Sequence, residues 1–247
     1  MKAIILAAGV GRRIHPVTNG LPKSLLEFGG ATLMHHQILS CQAHGIHDFV
    51  FVLGYEQERM RQHILEKVPS QRATFVFNPD FATTNTLYSL WLTRHTFDDD
   101  FIYFNADILF DPALLALLTG KWNHPRLLLE ESRCAEEEVK MVVNSDNRVL
   151  RIGKQLDPES CAGEFIGIGL FTQNVLQNFA RHLQSGVDEG ESNNYFEWAV
   201  DRLADDTVIE AVPTQGLACI EIDFPEDYHR ALQEVWPRLA TRQGRCP

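Results

Sequence analysis

A short glycine-containing turn near the N-terminus is followed by three cationic side chains. Small residues leave backbone N–H groups open to close approach by a phosphate or a nucleobase. Residues 7–11 are all small except Val10, and they include Gly9 and Gly11. Arginine offers phosphate a bidentate fork, while lysine acts as a mobile point charge. Glycines alone would indicate only a tight turn, but cations at this spacing favour phosphate binding. The predicted nucleotide-binding residues of this turn are Leu6, Ala7, Ala8, Gly9, Gly11, Arg12, Arg13 and Lys23.

The turn does not match the glycine patterns of two common nucleotide-binding folds. It is neither G-x-G-x-x-G nor G-x-x-x-x-G-K-[ST]. A dinucleotide-dependent oxidoreductase therefore loses its main support.

Two aspartates each follow an apolar run that is typical of a buried strand. Asp107 comes shortly after residues 101–104, and Asp223 follows residues 219–222. Ligands of open α/β sheets bind beside the carboxyl ends of the strands. A capping role would explain either aspartate alone. Because Mg²⁺ prefers carboxylates together with phosphate oxygens and water, the pair predicts a Mg²⁺ site formed by Asp107 and Asp223.

The run from residue 7 to residue 26 resembles a family signature. It is similar to L-A-A-G-x-G-[ST]-R followed by P-K-x-L, which is found in nucleotidyltransferases with a GT-A-like fold. Such enzymes couple a nucleoside triphosphate to a phosphorylated small molecule and release pyrophosphate. Arg13 aligns with the arginine of the signature, whereas Arg12 stands where the family has Ser or Thr, which leaves the role of Arg12 open. The resemblance also implies metal ligands at the positions of Asp107 and Asp223.

Two lysines in the second half of the chain are candidates for binding the incoming substrate. Attack by a phosphate on an α-phosphate brings two anions together, so a further cation must neutralise their repulsion. Lys154 resembles the lysine with which related sugar-phosphate enzymes bind the incoming phosphate, and the segment at Glu164 fits their substrate-contacting strand. An ordinary solvated side chain is the alternative for either lysine. We predict catalytic contributions from Arg13, Lys23 and Lys154, and substrate contacts from Lys140, Lys154 and Glu164.

Residues 78–90 indicate which nucleotide is used. They are similar to the N-x-x-Y-x-x-x-N-x-x-x-S-L pattern of cytidylyltransferases that act on phosphocholine and on 2-aminoethylphosphonate, with Phe81 in place of the usual tyrosine. Asn85 can both donate and accept hydrogen bonds, which suits a nucleobase edge or a ribose hydroxyl. Gly54 and Ala106 are the other predicted nucleotide-binding positions.

Both of these acceptors carry a cationic nitrogen. Carboxylates and aromatic faces are the expected partners of such a group. We predict substrate contacts from Tyr195 and Glu197, although the amphipathic pattern of residues 195–203 also suits packing in the core.

The order of apolar and amphipathic segments predicts the scaffold that positions these residues. Apolar strands alternate with helical patterns up to about residue 107, which is typical of a mainly parallel sheet covered on both faces. Shorter strands follow. We predict an α/β, Rossmann-like (GT-A-like) fold with a mixed, mainly parallel sheet, helices on both faces and a small β-rich subdomain. Residues 1–247 would form one nucleotidyltransferase domain, with the substrate-binding subdomain at about 130–192.

Composition restricts the partners and the compartment. The formal net charge of -11 disfavours nucleic-acid binding. No apolar stretch reaches transmembrane length, so no membrane partner is expected. Five cysteines without a C-x-x-C pair predict free thiols and a cytoplasmic location. A monomer and a homodimer are both left open.

The residues and the resemblance together predict a Mg²⁺-dependent cytidylyltransferase. Its partners would be CTP and a small phosphorylated or phosphonate acceptor. Two alternatives are a sugar-1-phosphate nucleotidyltransferase that uses dTTP or UTP, and a non-catalytic nucleotide-binding regulatory subunit.

Overall fold

Apolar runs of about five residues alternate with amphipathic stretches, and strands and helices form accordingly in the computed structural model. The structure describes residues 1–132 and 134–242. The strands are β1 Lys2–Ala7, β2 Glu27–Phe28, β3 Ala31–Thr32, β4 Phe49–Leu53, β5 Ala73–Phe77, β6 Phe101–Asn105, β7 Ile108–Phe110, β8 Arg126–Glu130, β9 Lys140–Val143, β10 Val149–Gly153, β11 Gly163–Phe171, β12 Glu210–Pro213 and β13 Cys219–Glu221. The α-helices are α1 His15–Thr18, α2 Leu33–Ala43, α3 Gln57–Leu65, α4 Thr86–Leu92, α5 Ala113–Leu118, α6 Leu176–Asp188, α7 Glu197–Asp206, α8 Pro225–Arg230 and α9 Trp236–Arg242.

The central sheet has a parallel half and an antiparallel half. Within the described residues its order is β10-β9-β11-β6-β1-β4-β5, and β8 and β12 extend it from β11. β5, β4, β1 and β6 run parallel, whereas β11 runs antiparallel to β6, β8 and β9. Leu6 of β1 lies opposite Asn105 of β6. The turns that follow these two parallel strands therefore lie side by side at one edge of the sheet.

Helices cover both faces of the sheet because side chains alternate along each buried strand. Ile4 and Leu6 face one apolar cluster, which includes buried residues of α4, α6 and α7. Ala3 and Ile5 face the other, which includes buried residues of α2, α3 and α5. Burial on both faces explains why these strands are continuously apolar in sequence.

A small antiparallel ribbon of β7 and β13 lies beside the central sheet. It packs on a third apolar cluster that contains Phe28, Ile222 and Trp236. Gly29 has a φ of +57°, and a Cβ added there would lie 1.9 Å from the Trp236 ring. The C-terminal helices therefore pack closely against the turn between β2 and β3. Ile222, at the end of β13, is buried in the same cluster.

The mixed sheet with helices on both faces confirms the predicted fold class. Helix α6 lies inside the segment of residues 130–192 that is predicted as a small β-rich subdomain. The subdomain boundary stays a prediction.

Two further findings concern the membrane and thiol predictions. None of the helices in residues 1–132 and 134–242 is both long and apolar enough to cross a membrane. Cys41, Cys134, Cys161 and Cys219 are free thiols, while Cys246 lies outside the described residues. The compartment and the oligomeric state stay predictions.

Candidate functional site

A cavity of ≈ 380 Å³ lies at the carboxyl ends of β1 and β6. Its walls are the glycine turn, the segment before α4, the residues after β6 and β13, and the start of α7. Most of the predicted site residues line it: Leu6, Ala7, Ala8, Gly9, Gly11, Arg12, Arg13, Lys23, Asn85, Ala106, Asp107, Lys154, Tyr195, Glu197 and Asp223. Gly54, Lys140 and Glu164 are not among the lining residues.

Backbone hydrogen bonds attach the glycine turn to its neighbours. Ala106 N donates to the Leu6 carbonyl at 3.2 Å, and Tyr55 N donates to the Ala8 carbonyl at 3.0 Å. Gly11 has a φ of +63°, in the left-handed region that favours glycine. A Cβ added at Gly11 would lie 3.3 Å from the Cβ of Lys23. Glycine at this position therefore allows the turn to pack closely against Lys23.

Three carboxylates converge on one wall of the cavity. Asp107, Glu221 and Asp223 each offer an oxygen within 4.8 Å of the others. Ile222 N donates to the Asp107 carbonyl at 3.0 Å, which joins the turn after β6 to the end of β13. Gln37 Nε2 donates to two further carbonyls around this turn, at 2.9 and 3.1 Å. Two acidic segments that are far apart in sequence are thus held together by backbone contacts.

Lys23 lies between two of these carboxylates. Its Nζ is 2.6 Å from Oδ2 of Asp107 and 2.6 Å from Oδ1 of Asp223. Arg13 Nη2 lies 2.7 Å from the other oxygen of Asp223. Burial would lower the pKa of Lys23, but the two carboxylates raise it above its usual range. Burial would raise the pKa of Asp223, but Lys23 and Arg13 bring it below its ordinary value. Lys23 and Asp223 are therefore both charged at neutral pH.

The donor set of this cluster fits a divalent cation. Oδ1 of Asp107 is buried and has no hydrogen-bond partner among the described residues. Burial, together with the charges of Asp107 and Asp223, raises the pKa of Glu221 well above its ordinary value. Such a group regains its charge when a cation binds nearby. An unpartnered carboxylate oxygen beside two further carboxylates is a donor set that Mg²⁺ accepts.

Sequence reasoning missed Glu221, although a signal was available. Side chains two apart on an extended segment point to the same side. The Glu221-Ile222-Asp223 pattern therefore predicts that Glu221 accompanies Asp223, and both line the cavity.

The other end of the cavity is formed by Lys154, Tyr195 and Glu197. Lys154 Nζ lies 4.3 Å from the centroid of the Tyr195 ring. Glu197 begins α7, is 4% exposed, and has no partner at Oε2 within the part of the chain that the structure describes. Burial raises the pKa of Glu197 to about 7, although Lys154 acts in the opposite direction. This end therefore combines an ammonium group with a carboxyl group that is poised between its two protonation states.

The segment before α4 forms the remaining wall. Asn85 caps α4, and its Oδ1 accepts from Thr86 N at 2.9 Å. Asn78 is buried and donates to Thr84 and Ser89 at 3.1 and 3.0 Å. Asn78 therefore maintains the shape of the segment, while Asn85 stands at its cavity-facing end.

Lys140 is buried and is not among the residues that line the cavity, so its predicted substrate contact stays a prediction. Its side chain is 1% exposed. Its Nζ donates to the carbonyls of Glu136, Glu138 and Lys154 at 2.8, 3.2 and 2.6 Å. These three bonds satisfy the ammonium group, so Lys140 supports the loop before β9 and the backbone of Lys154.

Gly54 and Glu164 also lie outside the cavity lining. A Cβ added at Gly54 would lie 2.6 Å from the Cβ of Phe81 and 2.7 Å from the Ala8 carbonyl. Gly54 therefore permits two segments to pack together, and its predicted nucleotide contact stays a prediction. Glu164 lies on β11 opposite Lys140. Burial, and then the nearby Glu138 and Glu130 carboxylates, raise the pKa of Glu164 to about 7.

Comparison with known proteins agrees with this arrangement. A sequence profile described as "Nucleotidyl transferase" matches residues 2–127, which is just over half of the chain. The chain belongs to the nucleotidyl transferase family. The resemblance at the glycine turn and the predicted enzyme class are therefore confirmed.

Two relatives of this nucleotidyltransferase are named for reactions that form CMP-linked products or transfer a cytidylyl group. Choline-phosphate cytidylyltransferase of Streptococcus pneumoniae is 27% identical over 240 residues, which cover 95% of this chain and 98% of that protein. CMP-5'-(3-aminopropyl)phosphonate synthase of Streptomyces rubellomurinus is 31% identical over 120 residues, which cover 49% of this chain and 19% of that protein.

Solved structures share the fold of this nucleotidyltransferase. The inositol-1-phosphate CTP transferase from T. maritima superposes with a TM-score of 0.81 at 21% identity, over 100% of this chain and 98% of that chain. CTP:phosphocholine cytidylyltransferase from Streptococcus pneumoniae gives a TM-score of 0.77 at 24% identity, over 94% of this chain and 97% of that chain. These superpositions confirm the predicted Rossmann-like fold.

Proposed function

We propose that this nucleotidyltransferase is a Mg²⁺-dependent cytidylyltransferase that joins CTP to a small phosphonate or phosphate monoester. The products would be a CMP-linked acceptor and pyrophosphate. The observation that carries the proposal is a single cavity with three cationic side chains and three carboxylates at one end, and with Lys154 and Glu197 at the other. The cytidylyltransferase relatives support both the choice of CTP and the acceptor class.

The glycine turn is the proposed triphosphate site. Backbone N–H groups around Gly9 and Gly11, with Arg13 and Lys23, would receive the phosphates. The cytosine would lie toward Asn85, whose side chain offers hydrogen-bonding groups to a base edge or a ribose hydroxyl. This orientation places the α-phosphate between the carboxylates and Lys154.

The proposed reaction needs no side-chain nucleophile or base. The acceptor is already an anion at neutral pH, and one of its oxygens attacks the α-phosphorus of CTP in line. The bond from the α-phosphorus to the β-bridging oxygen breaks, and pyrophosphate leaves with that electron pair. Lys154 offsets the repulsion between the acceptor and the α-phosphate, while Arg13 and Lys23 stabilise the charge on the leaving group. Catalysis then rests on positioning and charge neutralisation.

Asp107, Glu221 and Asp223 are the residues that would hold Mg²⁺. When bound, the ion supplies positive charge to the phosphoryl oxygens. The protein side chains keep that charge next to the glycine turn.

A coupled pyrophosphate-release assay tests the proposal. We expect release with CTP, Mg²⁺ and a small phosphonate or phosphate monoester, and much slower release with ATP, GTP or UTP. Preferred release with a hexose-1-phosphate and dTTP or UTP would instead support a sugar-1-phosphate nucleotidyltransferase. CTP binding by calorimetry without pyrophosphate release from any acceptor would support a regulatory subunit.

A further inference from the structure

A side cavity of ≈ 110 Å³ adjoins the main one. Val139, Lys154, Tyr195 and Glu197 line both, so the two cavities lie next to each other. The side cavity is large enough for a small organic group. It therefore suits the end of the acceptor that lies farthest from the reacting phosphorus.

Each aromatic ring at this side cavity already has a cation of the protein over one of its faces. Lys154 Nζ lies over the Tyr195 ring, and the Arg202 guanidinium carbon is 3.3 Å from the centroid of the Trp198 ring. Tyr195 and Trp198 are the aromatic residues among the described ones that line this space. A quaternary ammonium group is recognised by several free aromatic faces. If Lys154 moves to the acceptor anion, the Tyr195 face that it covers becomes free, while Arg202 still covers a face of Trp198.

The two carboxylates at the side cavity, Asp201 and Glu197, differ in whether they can accept further hydrogen bonds. Asp201 is saturated, because Arg151 Nε and Nη2 donate to it at 2.9 and 3.1 Å and Ile152 N donates at 2.9 Å. Glu197 lines both cavities, is more than nine-tenths buried, and has a buried oxygen, Oε2, with no hydrogen-bond partner among the described residues. A buried carboxylate oxygen is stabilised by an N–H or O–H donor. A trimethylammonium group carries no such donor.

We infer that the acceptor bears a primary ammonium group that donates to Glu197, while its phosphonate or phosphate lies beside Lys154. This inference rests on the proposed function and narrows its substrate class. Aminoalkylphosphonates and O-phosphoethanolamine share the required chemistry. Phosphocholine, which has the same overall charges but no N–H, is a poor acceptor.

The direct test measures kcat/KM with CTP and Mg²⁺ for four acceptors: 2-aminoethylphosphonate, O-phosphoethanolamine, phosphocholine and propylphosphonate. We expect kcat/KM for at least one of the two primary amines to exceed that for phosphocholine and for propylphosphonate by about 100-fold. Phosphocholine and propylphosphonate have no N–H group that could donate a hydrogen bond to the buried Glu197 carboxylate. The two primary amines differ in that 2-aminoethylphosphonate is a phosphonate and O-phosphoethanolamine is a phosphate ester. The ratio of their kcat/KM values tells which of the two is the better acceptor.

Glu197→Gln supplies the second measurement. In this variant the ratio of kcat/KM for the preferred amine to that for propylphosphonate should fall to within about threefold of unity, since a neutral amide does not attract a cation. The same substitution at the exposed Glu189 should keep the wild-type ratio.

The outcomes separate this inference from the proposed function. Phosphocholine or propylphosphonate turnover equal to that of both amines overturns the inference and leaves cytidylyl transfer standing. An unchanged amine preference in Glu197→Gln also overturns it. Absence of pyrophosphate release from CTP with all four acceptors overturns the proposed function itself. The comparison within the wild-type protein stands even if the variant fails to fold.

Discussion

Lys23 Nζ and Asp223 Oδ1 lie 2.6 Å apart, although the two residues are near opposite ends of the chain. The same Nζ contacts Asp107 at the same distance. A lysine ammonium therefore lies where two of the proposed metal ligands converge. Metal binding and the position of Lys23 must be coupled, because both cations interact with the same carboxylates.

Replacement of Lys23 tests this coupling. Lys23→Gln removes the ammonium group that competes for Asp107 and Asp223, so Mn²⁺ in the absence of nucleotide should bind about 10-fold tighter than to the wild-type protein. Loss of the cation near the triphosphate should lower cytidylyl transfer by at least about 100-fold. Calorimetry measures the first effect and pyrophosphate release the second. The exposed Lys121→Gln is the matched control, and Mn²⁺ affinity unchanged or weakened in Lys23→Gln would refute the coupling.

The two aspartates should be essential for turnover but not for folding. Asp107→Asn and Asp223→Asn each remove one carboxylate charge that the proposed metal requires, so kcat should fall by at least about 100-fold. Circular dichroism should show a folded protein, because the backbone bond from Ile222 to Asp107 is retained. Asp146→Asn, in an exposed turn, is the control. Near-normal turnover in either aspartate variant would show that the proposed metal site is not required for catalysis.

Lys140 and Lys154 should respond to substitution in different ways. Lys140→Met leaves three carbonyls without a donor and should lower the free energy of unfolding by about 3 kcal/mol, with a small effect on KM for the acceptor. Lys154→Met removes the cation at the acceptor end, so kcat/KM should fall by about 100-fold while the free energy of unfolding changes by less than about 1 kcal/mol. Urea unfolding and acceptor kinetics on both variants measure the difference. The reverse pattern would assign substrate binding to Lys140.

The buried carboxyl group of Glu197 should make stability depend on pH. Burial raises its pKa from 4.5 in the unfolded chain to about 7, despite the nearby Lys154 charge; Tyr103 also faces this carboxyl group. A raised pKa means that its contribution to stability is full below pH 4.5 and is lost as the pH rises through 7. Glu197→Gln should therefore gain about 3 kcal/mol in free energy of unfolding relative to the wild type between pH 4 and pH 8. Parallel pH profiles for the two proteins would contradict this effect.

Some of the site followed directly from local patterns in the sequence. The continuous apolar runs of β1, β4 and β6 predicted buried parallel strands, and the residues after them fall at one edge of the sheet. The spacing of Leu176, Phe179 and Leu183, which lie on the buried side of α6, is also a local pattern, and it is typical of an amphipathic helix.

Other features depend on contacts between distant segments. The burial of Lys140 follows from three carbonyls of surrounding loops, and its local sequence does not distinguish it from a solvated lysine. The cations over the Tyr195 and Trp198 rings are likewise set by tertiary packing. From the sequence, Lys140 and Tyr195 can therefore both be predicted as substrate-binding residues. Which of the two is accessible to a ligand depends on tertiary contacts that the sequence does not show.

The most direct test of cytidylyl transfer is ³¹P nuclear magnetic resonance of the protein with CTP, Mg²⁺ and 2-aminoethylphosphonate. We expect the triphosphate signals to disappear while pyrophosphate and a pair of coupled signals from a phosphonate–phosphate anhydride appear together, and we expect a chelator to stop the conversion. CTP that remains intact, or that is hydrolysed to CMP without a phosphorus–phosphorus coupled product, would contradict this expectation.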